Sequence, residues 1–270
     1  MKDAAGEQPM SKQNSQSRYW SANLDVRNLG GGATSGLLDL NRELEFYFSP
    51  EQEYALRHLW GNEGPRRKRI LEIGCGMGAF ALFLARQDAE VYVVDIAPER
   101  LDFLREQARG LGLSHQIHIV CAAAEALPFP DSYFDAVYTK SVLIHTQLEK
   151  AAAEAARVVK TGGVGVFVEP MRHNPFASLY RHTLAPAEWR DITTYFDRQR
   201  LRILAKAFGQ ARVRFFFLFS FLAFFWQFGI RNSRLFKNSV RLLNAVDAAL
   251  FRLFPALRRF AWFAVLCARK

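Results

Sequence analysis

Three glycines and an acid are spaced as in sites that hold a nucleotide-like ligand. Gly74, Gly76 and Gly78 follow a short apolar run at residues 69–73 and precede residues with helical spacing. Glycines there let the backbone pass close to a ligand and present amide groups at a helix N-terminus. Asp95 ends the next apolar run, where its carboxylate can accept hydrogen bonds from both hydroxyls of a ribose. Together, the loop and the acid predict an adenosine-containing ligand.

Two other interpretations of the same residues remain open. Gly74 and Gly76 could form only a tight strand-to-helix turn, with Asp95 capping the helix that opens near Pro98. Gly74, Gly76 and Ala79 also fit the glycine fingerprint of NAD-binding proteins. Residues outside the loop must therefore decide which class of ligand is bound.

Short apolar runs alternate with helical stretches over the middle of the chain. Strands are predicted at residues 69–73, 91–95, 116–121, 134–139 and 164–169, and helices at 50–60, 78–86, 98–109 and 148–159. This alternation predicts an α/β fold, a doubly wound parallel sheet that binds ligands beyond the carboxyl ends of its strands. Ser49, Pro50 and Gln52 predict that the first helix begins with a capping box.

Residues 68–170 resemble the class I S-adenosylmethionine-dependent methyltransferases, specifically the ubiquinone-biosynthesis-like branch called methyltransferase type 11. Residues 70–85 look like the first motif of that family, residues 124–129 like its third-strand loop, and residues 157–163 like its late turn. The resemblance implies a Rossmann-like sheet of seven strands, mostly parallel with the last strand antiparallel. It also implies an enzyme that uses S-adenosylmethionine.

The resemblance assigns residues to this cofactor. Glu72 matches the acid that, with the glycines, holds the methionine part, and Asp95 matches the ribose-binding acid. Two positions depart from the family: Ala123 replaces an Asp that often receives the adenine amino group, and Thr161 replaces a proline. The predicted cofactor-binding residues are Glu72, Gly74, Cys75, Gly76, Gly78, Asp95, Ile96, Ala124, Glu125 and Ser141.

The methyl acceptor is expected over the carboxyl ends of the fourth and fifth strands. His145 is the candidate catalytic base, because neutral imidazole can take a proton from a hydroxyl near neutral pH. It could equally cap the helix that follows. Glu169, His173 and Arg181 are the predicted acceptor-binding residues, and an arginine there could hold a phosphate or carboxylate. Glu169 could instead only end its strand, and Arg181 could be a solvated surface residue.

The C-terminal part of the chain is strongly basic. The formal charge of the whole chain is +10, yet residues 171–270 contain 18 Lys and Arg against four acids. Residues 215–230 form an apolar, Phe-rich run within this basic frame, and it is shorter than the roughly 20 residues that span a bilayer. Such a composition favours an interfacial element on an anionic membrane. Core packing, a substrate lid and a homodimer face are the alternatives.

Three regions follow from these patterns. Residues 1–40 are expected to be a disordered or loosely packed tail, residues 41–212 the methyltransferase domain, and residues 213–270 the closing strands with an aromatic and basic amphipathic insertion. The three cysteines are widely spaced and lack metal-ligand spacing, so no metal site is expected. Together with an N-terminus that has no leader pattern, they favour a cytoplasmic protein at the inner face of a membrane.

Three functions are compatible with the sequence. The preferred hypothesis is methyl transfer from S-adenosylmethionine to a lipophilic or lipid-linked acceptor at a membrane surface. The second is a soluble methyltransferase of a natural product or sugar-type molecule, and the third is a cofactor-binding interaction module without turnover. Nucleic acid is a poor partner, because the basic residues are interleaved with apolar ones and do not line a solvated groove.

Overall fold

The computed structural model describes residues 16–17, 19–20, 49–61, 63–183, 192–230 and 232–270. The predicted N-terminal tail therefore lies outside the described residues, with the exception of Gln16, Ser17, Tyr19 and Trp20.

Seven strands form one mixed sheet in the order β3-β2-β1-β4-β5-β7-β6. The first five strands in this order, β3-β2-β1-β4-β5, pair in parallel, whereas β7 is antiparallel to both β5 and β6. This arrangement confirms the predicted doubly wound sheet with an antiparallel last strand. The strands are β1 Arg69–Ile73, β2 Glu90–Asp95, β3 Ile117–Cys121, β4 Phe134–Lys140, β5 Val159–Pro170, β6 Gln210–Phe216 and β7 Phe263–Arg269.

Eight described α-helices accompany the sheet. They are α1 Pro50–Trp60, α2 Ala79–Arg86, α3 Pro98–Gly110, α4 Leu148–Val158, α5 Pro175–Thr183, α6 Arg198–Lys206, α7 Phe224–Phe228 and α8 Ser233–Leu253. Short 3-10 turns occupy Leu143–His145, Ser220–Ala223 and Pro255–Phe260.

The two faces of the sheet pack into separate cores. Ile70 and Leu71 are adjacent in β1, and both are fully buried, but Ile70 joins the core with α1, α2 and α3 whereas Leu71 joins the core with α4 and α6. Successive side chains of a strand point to opposite faces, so a strand covered on both sides must be apolar at every position. The continuous apolar runs of the sequence thus correspond to the central strands.

The capping box predicted for α1 is wrong. The Ser49 side chain makes no capping hydrogen bond to the backbone, and its hydroxyl donates to the carboxylate of Glu51. The Gln52 side chain accepts a hydrogen bond of 2.9 Å from the Tyr138 hydroxyl on β4. Ser49 thus pairs with a neighbour in the helix and Gln52 with a residue on the sheet, and neither makes the capping contact that the sequence indicated.

The Phe-rich run at residues 215–230 is divided between core and surface. Phe216 and Phe217 are 1% exposed, whereas Leu222 and Phe225 are 52% and 62% exposed. The start of the run overlaps β6, which begins at Gln210 and is exposed over most of its length because it forms the sheet edge.

Helix α8 is amphipathic, with one buried face and one exposed face. Phe236, Val240, Asp247 and Phe251 are buried, while the apolar side chains of Val246 and Leu253 are exposed. Among the described residues, no helix is long and apolar enough to cross a membrane.

Asp247 ties α8 to the Phe-rich run. Its carboxylate is 1% exposed and accepts backbone hydrogen bonds of 2.9–3.0 Å from Leu218, Phe219 and Ser220. Asp247 is also the only acid after residue 212 in the sequence. With its charge turned inward, the acid is not available to offset the exposed Lys and Arg of this region.

Candidate functional site

A cavity lies at the carboxyl ends of β1, β2 and β4, where doubly wound sheets bind ligands. Seven of the ten predicted cofactor residues line it: Gly74, Gly76, Asp95, Ile96, Ala124, Glu125 and Ser141. We refer to this space as the cofactor cavity.

The glycine loop lies between β1 and α2, and its glycines serve two purposes. Gly74, Gly76 and Gly78 all adopt positive φ angles, between +54° and +79°, which L side chains rarely adopt. A Cβ at Gly74 or Gly78 would lie within 2.4 Å of Val142 or Leu104, so these two glycines permit close packing. A Cβ at Gly76 would meet nothing closer than 3.8 Å, which leaves its backbone open to a ligand.

Asp95 lies at the end of β2 and is 9% exposed. Its carboxylate accepts hydrogen bonds from the backbone N–H of Cys75 at 3.1 Å and of Ala97 at 3.0 Å, which fixes its orientation beside the loop. Burial raises its pKa, while these donors and the nearby Arg100 oppose that rise. A carboxylate has about four acceptor positions, so it retains capacity for ribose hydroxyls.

Three predicted cofactor residues do not line the cavity. Gly78 packs against α3, and Cys75 is buried, where desolvation raises its thiol pKa. Glu72 is 4% exposed beneath the loop, and burial raises its pKa well above the usual range. Its Oε2 atom has no hydrogen-bond partner within the described part of the chain.

At the opposite end of the cofactor cavity, Ala124 and Glu125 follow β3. The Glu125 carboxylate accepts a 2.8 Å hydrogen bond from the backbone N–H of Gln147, which precedes α4. Glu125 therefore anchors a helix start as well as lining the cavity.

Several residues that line this cavity were not predicted from the sequence, among them Gln16, Trp20, Arg100 and Lys140. The Arg100 guanidinium lies over the Trp20 ring at 4.9 Å, and Ser17 donates to the Ile96 carbonyl at 2.7 Å. Gln16 and Trp20 fall in a polar segment without periodicity, so no local signal marked them. Lys140 ends β4, and its place at a strand end could have indicated it.

A second cavity, of about 750 Å³, adjoins the first and is mostly apolar. We call it the apolar cavity. Three residues, Trp20, Ser141 and His145, line both cavities. Besides Trp20, its Phe, Tyr and Trp lining residues come from several elements: Phe176, Tyr180, Tyr195, Phe221, Phe224, Trp262 and Phe263.

The predicted base His145 lies at the junction of the two cavities, in the turn after β4. Its Nδ1 lies 3.2 Å from the backbone carbonyl oxygen of Ile192. Because a carbonyl oxygen can only accept, this contact favours the tautomer with the proton on Nδ1 and the lone pair on Nε2. The imidazole ring therefore has a fixed orientation and lies between the cofactor cavity and the apolar cavity.

Glu169 lies below this junction and does not line either cavity. Its Oε1 accepts hydrogen bonds from the Thr139 hydroxyl at 3.0 Å and from the backbone N–H groups of Val142 and Leu143 at 3.3 and 3.1 Å. Burial raises its pKa to about 7, against the opposing effect of these donors. Glu169 therefore supports the turn that carries His145.

The remaining predicted acceptor residues, His173 and Arg181, line a third cavity of about 720 Å³. Arg181 also lines the apolar cavity, so it stands between the two. We call the third space the basic cavity.

Residues 71–167 match the family model of the methyltransferase domain. The chain is 37% identical over 102 residues to the ubiquinone/menaquinone biosynthesis C-methyltransferase of Erwinia tasmaniensis, covering 36% of this chain and 41% of that protein. It is 34% identical over 107 residues to the sterol 4-C-methyltransferase of Caenorhabditis elegans, covering 39% and 32%. It is 30% identical over 105 residues to the sarcosine/dimethylglycine N-methyltransferase of Halorhodospira halochloris, covering 38% of each. The similarity thus spans less than half of each relative.

Solved structures share the fold over nearly the whole chain. The [4+2]-cyclase SpnF has a TM-score of 0.62 at 20% identity, covering 97% of both chains. Geranyl diphosphate C-methyltransferase from Streptomyces coelicolor, bound to Mg²⁺, geranyl diphosphate and S-adenosyl-L-homocysteine, has a TM-score of 0.62 at 18% identity, covering 97% and 99%. At such identity these neighbours establish the fold. Together with the motifs at family spacing, the matches show that residues 71–167 of this chain form a class I S-adenosylmethionine-dependent methyltransferase domain.

Proposed function

We propose that this protein transfers a methyl group from S-adenosylmethionine to an apolar acceptor at a membrane surface. The observation that carries the proposal is the junction of the two cavities, at which Trp20, Ser141 and His145 line both. A cofactor in one cavity and an acceptor in the other would meet at these residues.

The cofactor cavity has the features that the ligand requires. The open backbone at Gly76 can approach the methionine part, and the oriented carboxylate of Asp95 can accept from the ribose. Ala124 and Glu125 lie where the resemblance expects the adenine. When bound, S-adenosylmethionine supplies an activated methyl group on a sulfonium.

The residues of the chain have three tasks in such a reaction. The aromatic walls of the apolar cavity exclude water and orient the acceptor. The Trp20 ring lies edge-on to the His145 ring, with centroids 5.1 Å apart, and covers the junction. His145 can accept the acceptor proton at Nε2, since its Nδ1 faces the Ile192 carbonyl.

An apolar acceptor is supported by the lining of the second cavity and by the names of relatives. The cavity wall is formed largely by aromatic side chains, which favour hydrocarbon or ring systems. Two relatives are named for quinone and sterol methylation and one structural neighbour for geranyl diphosphate methylation, whereas a third relative is named for sarcosine and dimethylglycine. We therefore extend this class of acceptor to the present chain.

Exposed apolar side chains near the cavity support a membrane location. Phe176 and Tyr180 line the apolar cavity and are about half exposed, and the Phe176 ring contacts Phe221, beside exposed Leu222. Leu242 and other exposed side chains of α8 extend the apolar surface of this region. Monomeric soluble proteins rarely expose large contiguous apolar patches.

The charge of the same region supports an anionic surface. Residues 213–270 contain ten Lys and Arg and one acid, the buried Asp247. Exposed Arg234, Arg241 and Arg252 accompany the apolar side chains of α8. Each basic residue near an anionic membrane contributes about 1 kcal/mol, and apolar insertion adds a part that salt does not screen.

Liposome sedimentation tests the membrane part. Replacing Arg234, Arg241 and Arg252 by Gln should weaken binding to anionic vesicles by roughly 100-fold at low salt, from about 3 kcal/mol of lost attraction. The matched control exchanges the exposed Arg86, Arg105 and Arg109 of α2 and α3 for Gln.

A second pair of variants tests apolar insertion. Leu222→Ser with Phe225→Ser should remove the binding that persists at high salt, whereas Val213→Ser, at an exposed position on the edge strand, should not. Phe224 is unsuitable for this test because it packs in the core. If the intact protein stays in solution with every lipid mixture, the exposed surface is a lid or a dimer face and the acceptor is a soluble small molecule.

A further inference from the structure

The basic cavity has an unusual balance of charge. Five basic side chains line it, and no Asp or Glu does so within the described part of the chain. The five are Arg172, His173, Arg181, His182 and Arg259. Side chains of like charge that cluster in a cavity raise the local concentration of ligands of the opposite charge.

Arg181 distinguishes this cavity from an ordinary solvated surface. Its Nη1 donates to the backbone carbonyl oxygens of Met171 and Arg172 at 3.0 and 3.3 Å, and its guanidinium lies 3.5 Å from the Tyr195 ring centre. Its Nη2 is buried and has no acceptor among the described residues. Desolvation lowers its pKa. A positive charge is therefore held in a fixed orientation without a carboxylate from the described chain.

The basic and apolar cavities are neighbours that share lining residues. Arg181, Thr193 and Tyr195 line both. A molecule that extends past these three residues would contact the basic side chains at one end and the aromatic side chains at the other. The aromatic end in turn reaches His145 at the junction with the cofactor cavity.

We propose that the methyl acceptor is an amphipathic anion, with its hydrocarbon part in the apolar cavity and a phosphate or diphosphate ester in the basic cavity. This inference rests on the proposed function and specifies the class of its acceptor. Three arginines and two histidines match a multiply charged phosphate better than a singly charged carboxylate. Arg181 contacts the head group where it joins the hydrocarbon.

Anchoring of the head group has a consequence for the reaction. Binding energy from a part of the substrate that does not react can fix the position of the part that does. A head group held at Arg181 and Arg259 would limit how the hydrocarbon slides past Ser141 and His145. The site of methylation on the acceptor is thereby set by its distance from the phosphate.

A matched pair of amphiphiles tests this inference. The protein is first saturated with S-adenosylhomocysteine, whose binding is measured by calorimetry. Dodecyl phosphate and dodecanol are then titrated below their aggregation limits, with tryptophan fluorescence as the signal. The phosphate should bind at least about tenfold more tightly, as expected for charge-assisted hydrogen bonds. Inorganic pyrophosphate alone should compete with dodecyl phosphate, which separates head-group binding from hydrocarbon binding.

Variants assign the preference to the cavity. Arg181→Gln and, separately, Arg259→Gln should each reduce the preference for the phosphate several-fold while leaving S-adenosylhomocysteine binding unchanged. Arg259 is exposed, so its substitution leaves the fold intact even if that of Arg181 does not. Arg109→Gln, at an exposed position of α3, is the control for nonspecific attraction and should have no effect.

Equal affinity for the phosphate and the alcohol overturns the inference. A preference for the phosphate that survives in both Arg259→Gln and folded Arg181→Gln overturns it as well, and so does a preference that disappears in Arg109→Gln. Each of these results leaves the proposed function standing, because S-adenosylhomocysteine still binds. Failure to bind S-adenosylhomocysteine at the first step counts against the proposed function itself.

Discussion

The indole ring of Trp20 packs edge-on against the imidazole ring of His145, with the ring centroids 5.1 Å apart. Their sequence separation is large, yet the contact closes the point where the cofactor cavity meets the apolar cavity. Gln16 strengthens this closure, because its amide donates to the backbone carbonyls of His145 and Ile192. The cavity that holds the glycine loop is therefore covered by residues that precede the methyltransferase domain.

Removal of this cover should loosen the cofactor. Trp20→Ala removes the contact with His145 and the cation–π contact with Arg100, and we expect cofactor dissociation to accelerate roughly fivefold, from about 1 kcal/mol. Stopped-flow fluorescence with S-adenosylhomocysteine measures this rate. Trp20→Phe keeps an aromatic ring, and its cofactor dissociation rate should be close to that of the unchanged protein. An unchanged rate in Trp20→Ala would show that the segment does not retain the ligand.

Asp95 is expected to contribute directly to cofactor affinity. Asp95→Ala should weaken binding of S-adenosylmethionine by about 1–3 kcal/mol, through loss of charge-assisted hydrogen bonds to the ribose. Calorimetry measures the affinity, and Asp102→Asn, an exposed acid of α3, serves as the control. NAD should not bind. Undiminished affinity in a folded Asp95→Ala variant would place the ribose elsewhere.

His145 should matter for turnover more than for binding. If Nε2 accepts the acceptor proton, His145→Asn should lower kcat by about 100-fold with little change in cofactor affinity. The measurement is the initial rate of methyl transfer at saturating cofactor. A fully active variant would make His145 a structural residue of the turn, and the reaction would then depend on positioning alone.

The raised pKa of Glu169 gives stability a defined pH dependence. Its pKa in the folded chain is about 7 and its ordinary value is 4.5, so the folded state binds this proton more tightly than the unfolded state. The free energy of unfolding should therefore fall as the pH rises from about 4.5 to about 7, by up to about 3 kcal/mol. Glu169→Gln should abolish this part of the slope in denaturant titrations. The same slope in the variant would assign it to other groups.

Prediction from sequence succeeded where the signal was local. The glycine loop and Asp95 are close in sequence and at strand ends, and the sheet follows from apolar runs of strand length. It failed where the partners are distant: Trp20 meets His145 only through the tertiary fold, and Gln52 pairs with Tyr138 instead of capping its own helix. The Phe-rich run was ambiguous because composition cannot show that Phe217 is buried while Phe225 is exposed.

Transfer of labelled methyl groups tests the central claim most directly. The intact protein is incubated with methyl-labelled S-adenosylmethionine and with a total lipid extract or an aqueous metabolite extract from the source cells, and the products are partitioned into organic solvent. We predict that label enters the organic phase only with the lipid extract, and that Asp95→Ala reduces it. Label that remains on the cofactor with both extracts, in protein that binds the cofactor, would contradict methyl transfer to an apolar acceptor.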